Sequence, residues 1–158
     1  MSIQLLNFTK LDPIQKEIIL SWRNHPDIRQ WMFHPNKISM DEHLRFIESL
    51  KNRSDKRYFL VQRDDENLGV IDFTAITEDS AEFGIYGNPT IHGIGKILMV
   101  TLIDYALTIL HISKLIATVF SDNEKAKHLY ATFDFEETNR VLYHNKEMIT
   151  LELCHDNR

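Results

Sequence analysis

Cysteine is nearly missing from this chain of 158 residues, where Cys154 stands alone. One thiol excludes an internal disulfide framework and any four-cysteine zinc site. Glycine and proline are scarce too, at 5 and 4 residues, which excludes fibrous and low-complexity classes. No apolar run approaches the ~20 residues of a membrane span. The start, Met1-Ser2-Ile3-Gln4, lacks the basic flank and apolar stretch of a secretory signal. These absences predict a soluble, cytoplasmic protein with no membrane association. Basic residues are in deficit, 18 against 23 acidic ones, for a net charge of −5. That balance disfavours a nucleic-acid module, which needs excess cations for phosphate backbones. There are 8 histidines, but no His-Glu-x-x-His and no compact cluster at ligand spacing, so no metal is expected.

What is present describes a globular chain: 43% hydrophobic and 26% charged residues. A domain of this size buries roughly 70% of its unfolded surface, enough for a core without staples. No linker, charge block or repeat interrupts the chain, so one domain over 1–158 is expected. Ile3 to Phe8 suits an opening strand. Asp12-Pro13 starts a helix over Ile14 to Trp22 that ends near Asn24, because Pro26 pushes His25 out of helical geometry. Ser39-Met40-Asp41-Glu42 reads as a capping box for a second helix with Leu44, Ile47 and Leu50 as its stripe. Tyr58 to Gln62 and Leu68 to Ile76 flank the hairpin signal Asp64-Asp65-Glu66-Asn67, and Ala81 to Tyr86 continues the meander. Helical spacing follows from Ile94 to Ile109. Leu115 to Phe120 is a strand, Ser121-Asp122-Asn123-Glu124 a second capping box, and Ala126, Leu129, Tyr130 and Phe133 the packed side of its helix. Strands over Phe135 to Val141 and Lys146 to Leu153 close a mixed α/β order.

Two segments carry chemistry. Thr90-Ile91-His92-Gly93-Ile94-Gly95-Lys96 lies between a strand and a helix, where free backbone N–H groups favour phosphate. A purely structural turn reads equally well. A nucleoside-triphosphate P-loop would need Gly at Thr90 and Ser or Thr at Ile97. A dinucleotide fingerprint would need a third glycine at Leu98. The second segment is Asn123-Glu124-Lys125-Ala126-Lys127-His128-Leu129-Tyr130. Asn123 sits at a strand-to-helix junction, with Tyr130 at nearly the same azimuth two turns later. Alone, Tyr130 reads more readily as a core aromatic whose hydroxyl reaches the surface.

Together, a glycine turn, a strand and then Asn-x-x-Ala-x-x-x-Tyr resemble the GCN5-related N-acetyltransferases. The resemblance covers nearly the whole chain, although Thr90 replaces the family's usual Gln or Arg and Asp134-Phe135 its usual Gly-Phe. Further segments resemble one branch, the nucleotide-sugar N-acetyltransferases of bacterial pseudaminic acid biosynthesis. They are Trp22-Arg23-Asn24-His25-Pro26-Asp27-Ile28, Glu42 to Ile47, Arg57 to Val61, Leu68 to Phe73, and Glu82 to Tyr86 with Asn88-Pro89.

The resemblance implies a central, mostly antiparallel sheet of about seven strands flanked by about four helices. It implies acetyl transfer from acetyl-CoA to the 4-amino group of a UDP-linked 4-amino-4,6-dideoxy-N-acetyl-altrosamine, upstream of flagellin glycosylation. The backbone of His92, Gly93, Ile94, Gly95, Lys96 and Ile97 would hold the pyrophosphate. Ile85, Tyr86 and Gly87 would pair with the pantetheine arm, with Asn123 and Ala126 on its other side. Tyr130 is the expected proton donor to the thiolate. A phenol near 10 facing a thiol near 8.5 makes full transfer uphill by about 2 kcal/mol. Donation must therefore track charge developing on sulfur, or the site must lower the tyrosine's pKa. Glu82 shares a strand face with Gly84 and Tyr86 and is the candidate base; an exposed strand carboxylate or a water reads equally well. For the sugar nucleotide, Arg23 and His43 are the expected phosphate partners, Thr74 and Tyr86 pocket residues, and His25 a second-line contact that more readily caps a turn. Cys154, without an oxyanion motif, is expected to be idle, which favours direct transfer in a ternary complex. Rival readings are an acetyltransferase for a protein N-terminus or a polyamine, and a CoA-binding module without chemistry. An exposed edge strand near the C-terminus leaves room for a homodimer.

Overall fold

Residues 2–155 are described by a computed structural model. The strands are β1 (Ile3–Asn7), β2 (Arg57–Arg63), β3 (Glu66–Thr74), β4 (Ser80–Gly87), β5 (Lys114–Phe120), β6 (Glu136–Tyr143) and β7 (Lys146–Cys154). They form one 7-stranded sheet in the order β1-β2-β3-β4-β5-β7-β6. Every neighbouring pair is antiparallel except β4 with β5. Among the described residues five α-helices flank it: α1 (Pro13–Arg23), α2 (Pro26–Arg29), α3 (Met40–Ser49), α4 (Gly95–Thr108) and α5 (Glu124–Thr132). The short α2 is the one beyond the sequence expectation; Pro26 opens it and His25 caps it.

Strand alternation divides the core between two layers. Phe59, Ile71, Phe73 and Phe83 pack under α4 with Leu98 and Leu102. Leu60 and Val70, one residue out of phase, pack under α1 and α3 with Ile19, Trp22 and Ile47. Both early caps form as the sequence predicts. The Gln15 N–H donates to Asp12 Oδ1 at 2.7 Å, and the Glu42 N–H to Ser39 Oγ at 3.1 Å.

Two local expectations are corrected. On α3 the buried stripe is His43, Ile47 and Leu50, whereas Leu44 is 40% exposed. His43 takes the inward position because its Nε2 meets the Lys16 carbonyl oxygen of α1 at 2.9 Å, giving the buried ring a partner. At α5 the cap is Asn123, whose Oδ1 accepts from the Ala126 N–H, rather than Ser121.

The feature that positions a site is the parallel pair. The β4 and β5 strands pair only through Ser80↔Lys114, Ala81↔Leu115 and Glu82↔Ile116. Beyond that rung β4 runs on to Gly87, while β5 follows β7 as far as Phe120↔Met148. The sheet therefore splits at its centre, and the split faces the starts of α4 and α5. Openings beyond the carboxyl ends of parallel strands are where such sheets bind ligands.

Candidate active site

Three sets of groups converge on this opening. The first is the turn entering α4. Gly93 has φ of +77, a conformation that disfavours any side chain, and a Cβ there would meet nothing within 4 Å. No side chain caps α4, and no backbone N–H from His92 to Ile97 donates to another described residue. A run of unpartnered amides at the positive end of a 14-residue helix is an anion cradle.

The second set lies along the split. Beyond Glu82, the β4 edge facing β5 has no strand partner, which frees main-chain groups around Ile85 to Gly87. Across from it, Asn123 and Ala126 open α5; the Asn123 Nδ2 makes no hydrogen bond to a described residue. Tyr130 is 4% exposed, wedged against Phe83 and Phe135 with ring centroids 5.4 and 5.7 Å away. Its hydroxyl has no partner among the described residues. Among the described residues the only fully enclosed side-chain polar atom without a partner is Arg29 Nε, so the Tyr130 hydroxyl reaches open space. Burial, and then the charge of Asp72, hold its pKa above the ordinary tyrosine value. The alternative that the surroundings lower this phenol's pKa is thereby overturned.

The third set is on the α1 and α3 side. Asp72 of β3 pairs with Gly84 of β4, so their side-chain directions share a face. Gly84 has no side chain, and Asp72 Oδ2 lies 2.8 Å from where its Cβ would be. The carboxylate thus leans over β4 toward the split. Burial pushes its pKa up to about 7, although the Gly84 backbone N–H favours the ionised form. Tyr58 on β2 and Tyr86 on β4 flank it, and burial, then the Asp72 charge, raise both phenols. Glu82 lies on the same face, exposed, at the last β4–β5 rung. Thr74 is its half-buried partner on β3.

Farther out, Arg23 Nη2 donates to the His34 carbonyl at 2.8 Å and Arg29 Nη1 to that of Pro35 at 3.2 Å. Asn24 exchanges two 2.9 Å hydrogen bonds with the Ile38 main chain. These bonds fasten the loop after α2 against the site. Neither arginine pairs with a carboxylate among the described residues. Burial is the main reason the Arg23 pKa falls below its ordinary value, with Arg29 adding repulsion. The loop carries Phe33 to Phe120 and Tyr143, at 5.8 and 6.1 Å between centroids, beside a cavity of about 260 Å³.

Two expected contacts have structural partners of their own. His43 is 4% exposed, one ring nitrogen is engaged by α1, and burial lowers its pKa, so at neutral pH it is uncharged and a poor phosphate partner. His25 accepts from the Asp27 N–H and acts as a cap. Cys154 is exposed at the closed end of the split, opposite Lys114. Sequence reading missed Asp72 and Arg29. Asp72 could have been found as a lone carboxylate inside the apolar run Leu68 to Phe73. Among the described residues no three His, Cys, Asp or Glu gather to hold a metal, and no helix is long and apolar enough to cross a membrane.

Comparison with known proteins agrees on one family. Residues 6–136 match the acetyltransferase (GNAT) domain. The chain is 46% identical over 144 residues to acetyltransferase PseH of Campylobacter jejuni (strain 81-176), covering 90% of this chain and 91% of that one. It is 26% identical to spermidine N(1)-acetyltransferase of Escherichia coli K12, covering 85% and 76%. The crystal structure of C. jejuni N-acetyltransferase PseH in complex with acetyl coenzyme A superposes with a TM-score of 0.82 at 37% identity, covering 98% and 100%. Vibrio cholerae spermidine N-acetyltransferase in complex with CoA and spermine gives 0.86 at 23% identity, covering 97% and 95%, a likeness of fold.

Proposed function

The chain belongs to the GNAT acetyltransferase family, and on that footing we propose that it moves the acetyl group of acetyl-CoA to the 4-amino group of UDP-4-amino-4,6-dideoxy-N-acetyl-β-L-altrosamine. The reaction belongs to pseudaminic acid biosynthesis, and its product feeds flagellin glycosylation in the cytoplasm. One domain carries the activity. The observation that supports a sugar nucleotide over a polyamine is the pair Arg23 and Arg29, two cations near the opening with no carboxylate partner among the described residues. A polycation would be repelled there, whereas a diphosphate suits planar two-pronged donors. The cavity of about 260 Å³ beside Phe33, Phe120 and Tyr143 would offer a flat base aromatic neighbours. Thr74 and Tyr86 would line the sugar.

The donor's pyrophosphate fits the unpartnered amides of His92 to Ile97. The free β4 edge at Ile85, Tyr86 and Gly87 fits the pantetheine arm, with Asn123 and Ala126 opposite. This brings the thioester against the Tyr130 hydroxyl. The amine attacks the thioester carbon directly in a ternary complex; the C–N bond forms, the C–S bond breaks, and Tyr130 donates a hydrogen bond and then its proton to the leaving sulfur. Because burial raises this phenol, its main help is a hydrogen bond that strengthens as charge develops. The edge strand β6, exposed along nearly its whole length, is where a second copy would dock in a homodimer.

The test is a thiol-release assay offering the UDP-4-amino sugar, spermidine and an N-terminal peptide to the same enzyme. Fastest turnover is expected on the sugar. Turnover of spermidine or peptide with none of the sugar would overturn the reading.

A further inference from the structure

The carboxylate aimed into the opening is not the one that strand patterning singles out. Building on the acetyltransferase reading above, we propose that Asp72 is the proton acceptor for the attacking amine, set on the opposite face of the sheet from the donor Tyr130.

The geometry begins with Gly84, the first position on its face beyond the last β4–β5 rung at Glu82↔Ile116. Because residue 84 has no side chain, Asp72 fills that volume, with Oδ2 2.8 Å from the site of a Cβ. A carboxylate rooted on β3 thereby reaches toward the free edge of β4, where the acetyl group must lie if the pantetheine arm follows that edge. It accepts no hydrogen bond from a described side chain, and the half-buried carboxylate keeps some contact with solvent. Tyr130 comes from α5 on the other face, packed on Phe83, one residue out of phase with Gly84. The two are close enough that the charge of Asp72 raises the Tyr130 pKa. Donor and acceptor thus flank the split, one on the thioester side and one on the side of α1, α3 and the arginine pair.

Charged and titratable groups around Asp72 leave this role to it. Tyr58, Tyr86 and Tyr130 are phenols whose pKa values are all raised. Lys56 favours the carboxylate weakly, behind burial and the Gly84 N–H. Glu82 shares the face but is exposed at the apex.

The protons balance. As the C–N bond forms, the amine nitrogen's proton passes to the Asp72 carboxylate; as the C–S bond breaks, the Tyr130 proton passes to sulfur. After product departs, protonated Asp72 returns its proton to the Tyr130 phenolate. That return is downhill, because a carboxylic acid near 7 is a stronger acid than a buried phenol. A base near 7 is also matched to operation at neutral pH.

The experiment measures kcat/KM against pH for wild type, Asp72→Asn, Gly84→Ala and Glu82→Gln. It uses whichever amine of the acceptor panel is turned over fastest, with acetyl-CoA affinity measured by calorimetry. Wild type is expected to lose activity below about pH 7. Asp72→Asn should lower kcat on the order of 100-fold and flatten that acid limb, leaving acetyl-CoA affinity within about twofold. Gly84→Ala, whose Cβ displaces the carboxylate, should lower kcat without removing the acid. Asp72→Asn that keeps both limb and turnover would overturn the assignment. So would loss of the limb in Glu82→Gln, or a fall in acetyl-CoA affinity that matches the fall in kcat. Turnover of spermidine and not of the sugar would overturn the proposed acceptor alone, and the Asp72 profiles would then be read on spermidine.

Discussion

The Arg23 guanidinium at the end of α1 donates to the carbonyl oxygen of His34, 11 residues away, at 2.8 Å. A second contact, from Nη1 to the Asn36 carbonyl, is 3.5 Å. One side chain therefore both orders the loop bearing Phe33 and brings positive charge to the acceptor side.

Arg23→Lys keeps the charge and removes the fork that spans two carbonyls. The KM for the sugar nucleotide should rise about tenfold, equivalent to about 1.4 kcal/mol. The KM for acetyl-CoA, bound at the other side of the opening, should hardly move. Steady-state kinetics with each substrate varied in turn checks this, and an equal rise in both values would count against it.

Gly93→Ala tests the amide cradle. Its φ of +77 strains an alanine, yet no atom lies within 4 Å of the added Cβ. The backbone is therefore expected to relax out of that conformation, turning N–H groups away from the pyrophosphate. Acetyl-CoA affinity should fall about 5- to 10-fold, in line with a strain of about 1 kcal/mol or slightly more. Calorimetric titration reads the affinity directly; an unchanged dissociation constant would remove this turn from the donor site.

Tyr130→Phe removes a hydroxyl that has no partner among the described residues while keeping the ring against Phe83 and Phe135. Turnover should drop by about 10²-fold or more, with acetyl-CoA affinity and melting temperature close to wild type. An unchanged kcat would take Tyr130 out of the mechanism.

His43 shows where sequence reading stops. Element order apart from α2, two of the three caps and the strand-to-helix site segments were legible because they depend on local pattern: Asp12 with Pro13, Ser39 with Glu42, the glycine turn before α4. The partner of His43 was not, because Lys16 lies 27 residues earlier and only the packing of α1 on α3 brings its carbonyl to the ring. Asp72 was hidden for a similar reason. Its significance depends on what residue 84 lacks on the neighbouring strand, and register is not written in either strand alone.

His43→Leu should therefore behave as a stability variant. It removes the side-chain hydrogen bond that the Lys16 carbonyl accepts beyond its helical one, at a cost of about 1 kcal/mol. Since burial depresses the folded-state pKa of His43, the neutral ring's contribution is present above its ordinary pKa of 6.5 and fades as pH falls. The melting-temperature deficit should be larger at pH 8 than at pH 5, with little change in the KM for the sugar nucleotide. A large rise in that KM at full stability would restore His43 as a substrate contact.

Asp72 has the opposite sign. Folding raises its pKa from 3.8 to about 7, so the folded state binds a proton that the unfolded chain releases. Its contribution to stability is most favourable below about pH 4 and is lost as pH rises through about 7. Above that, the protein holds an ionised carboxylate against burial, partly relieved by the Gly84 N–H and by its open side. Asp72→Asn fills the same volume over Gly84 without that charge. The variant should match wild type near pH 4 and exceed it above pH 7 by on the order of 2 kcal/mol, or roughly 4–8 °C in melting temperature. Melting curves from pH 4 to pH 9 make the comparison. Parallel profiles would mean that Asp72 is ionised across the whole range, and would contradict the burial that sets its pKa. A gain in stability above pH 7 together with a loss of turnover would identify a charge kept at this position for catalysis and at a cost to the fold.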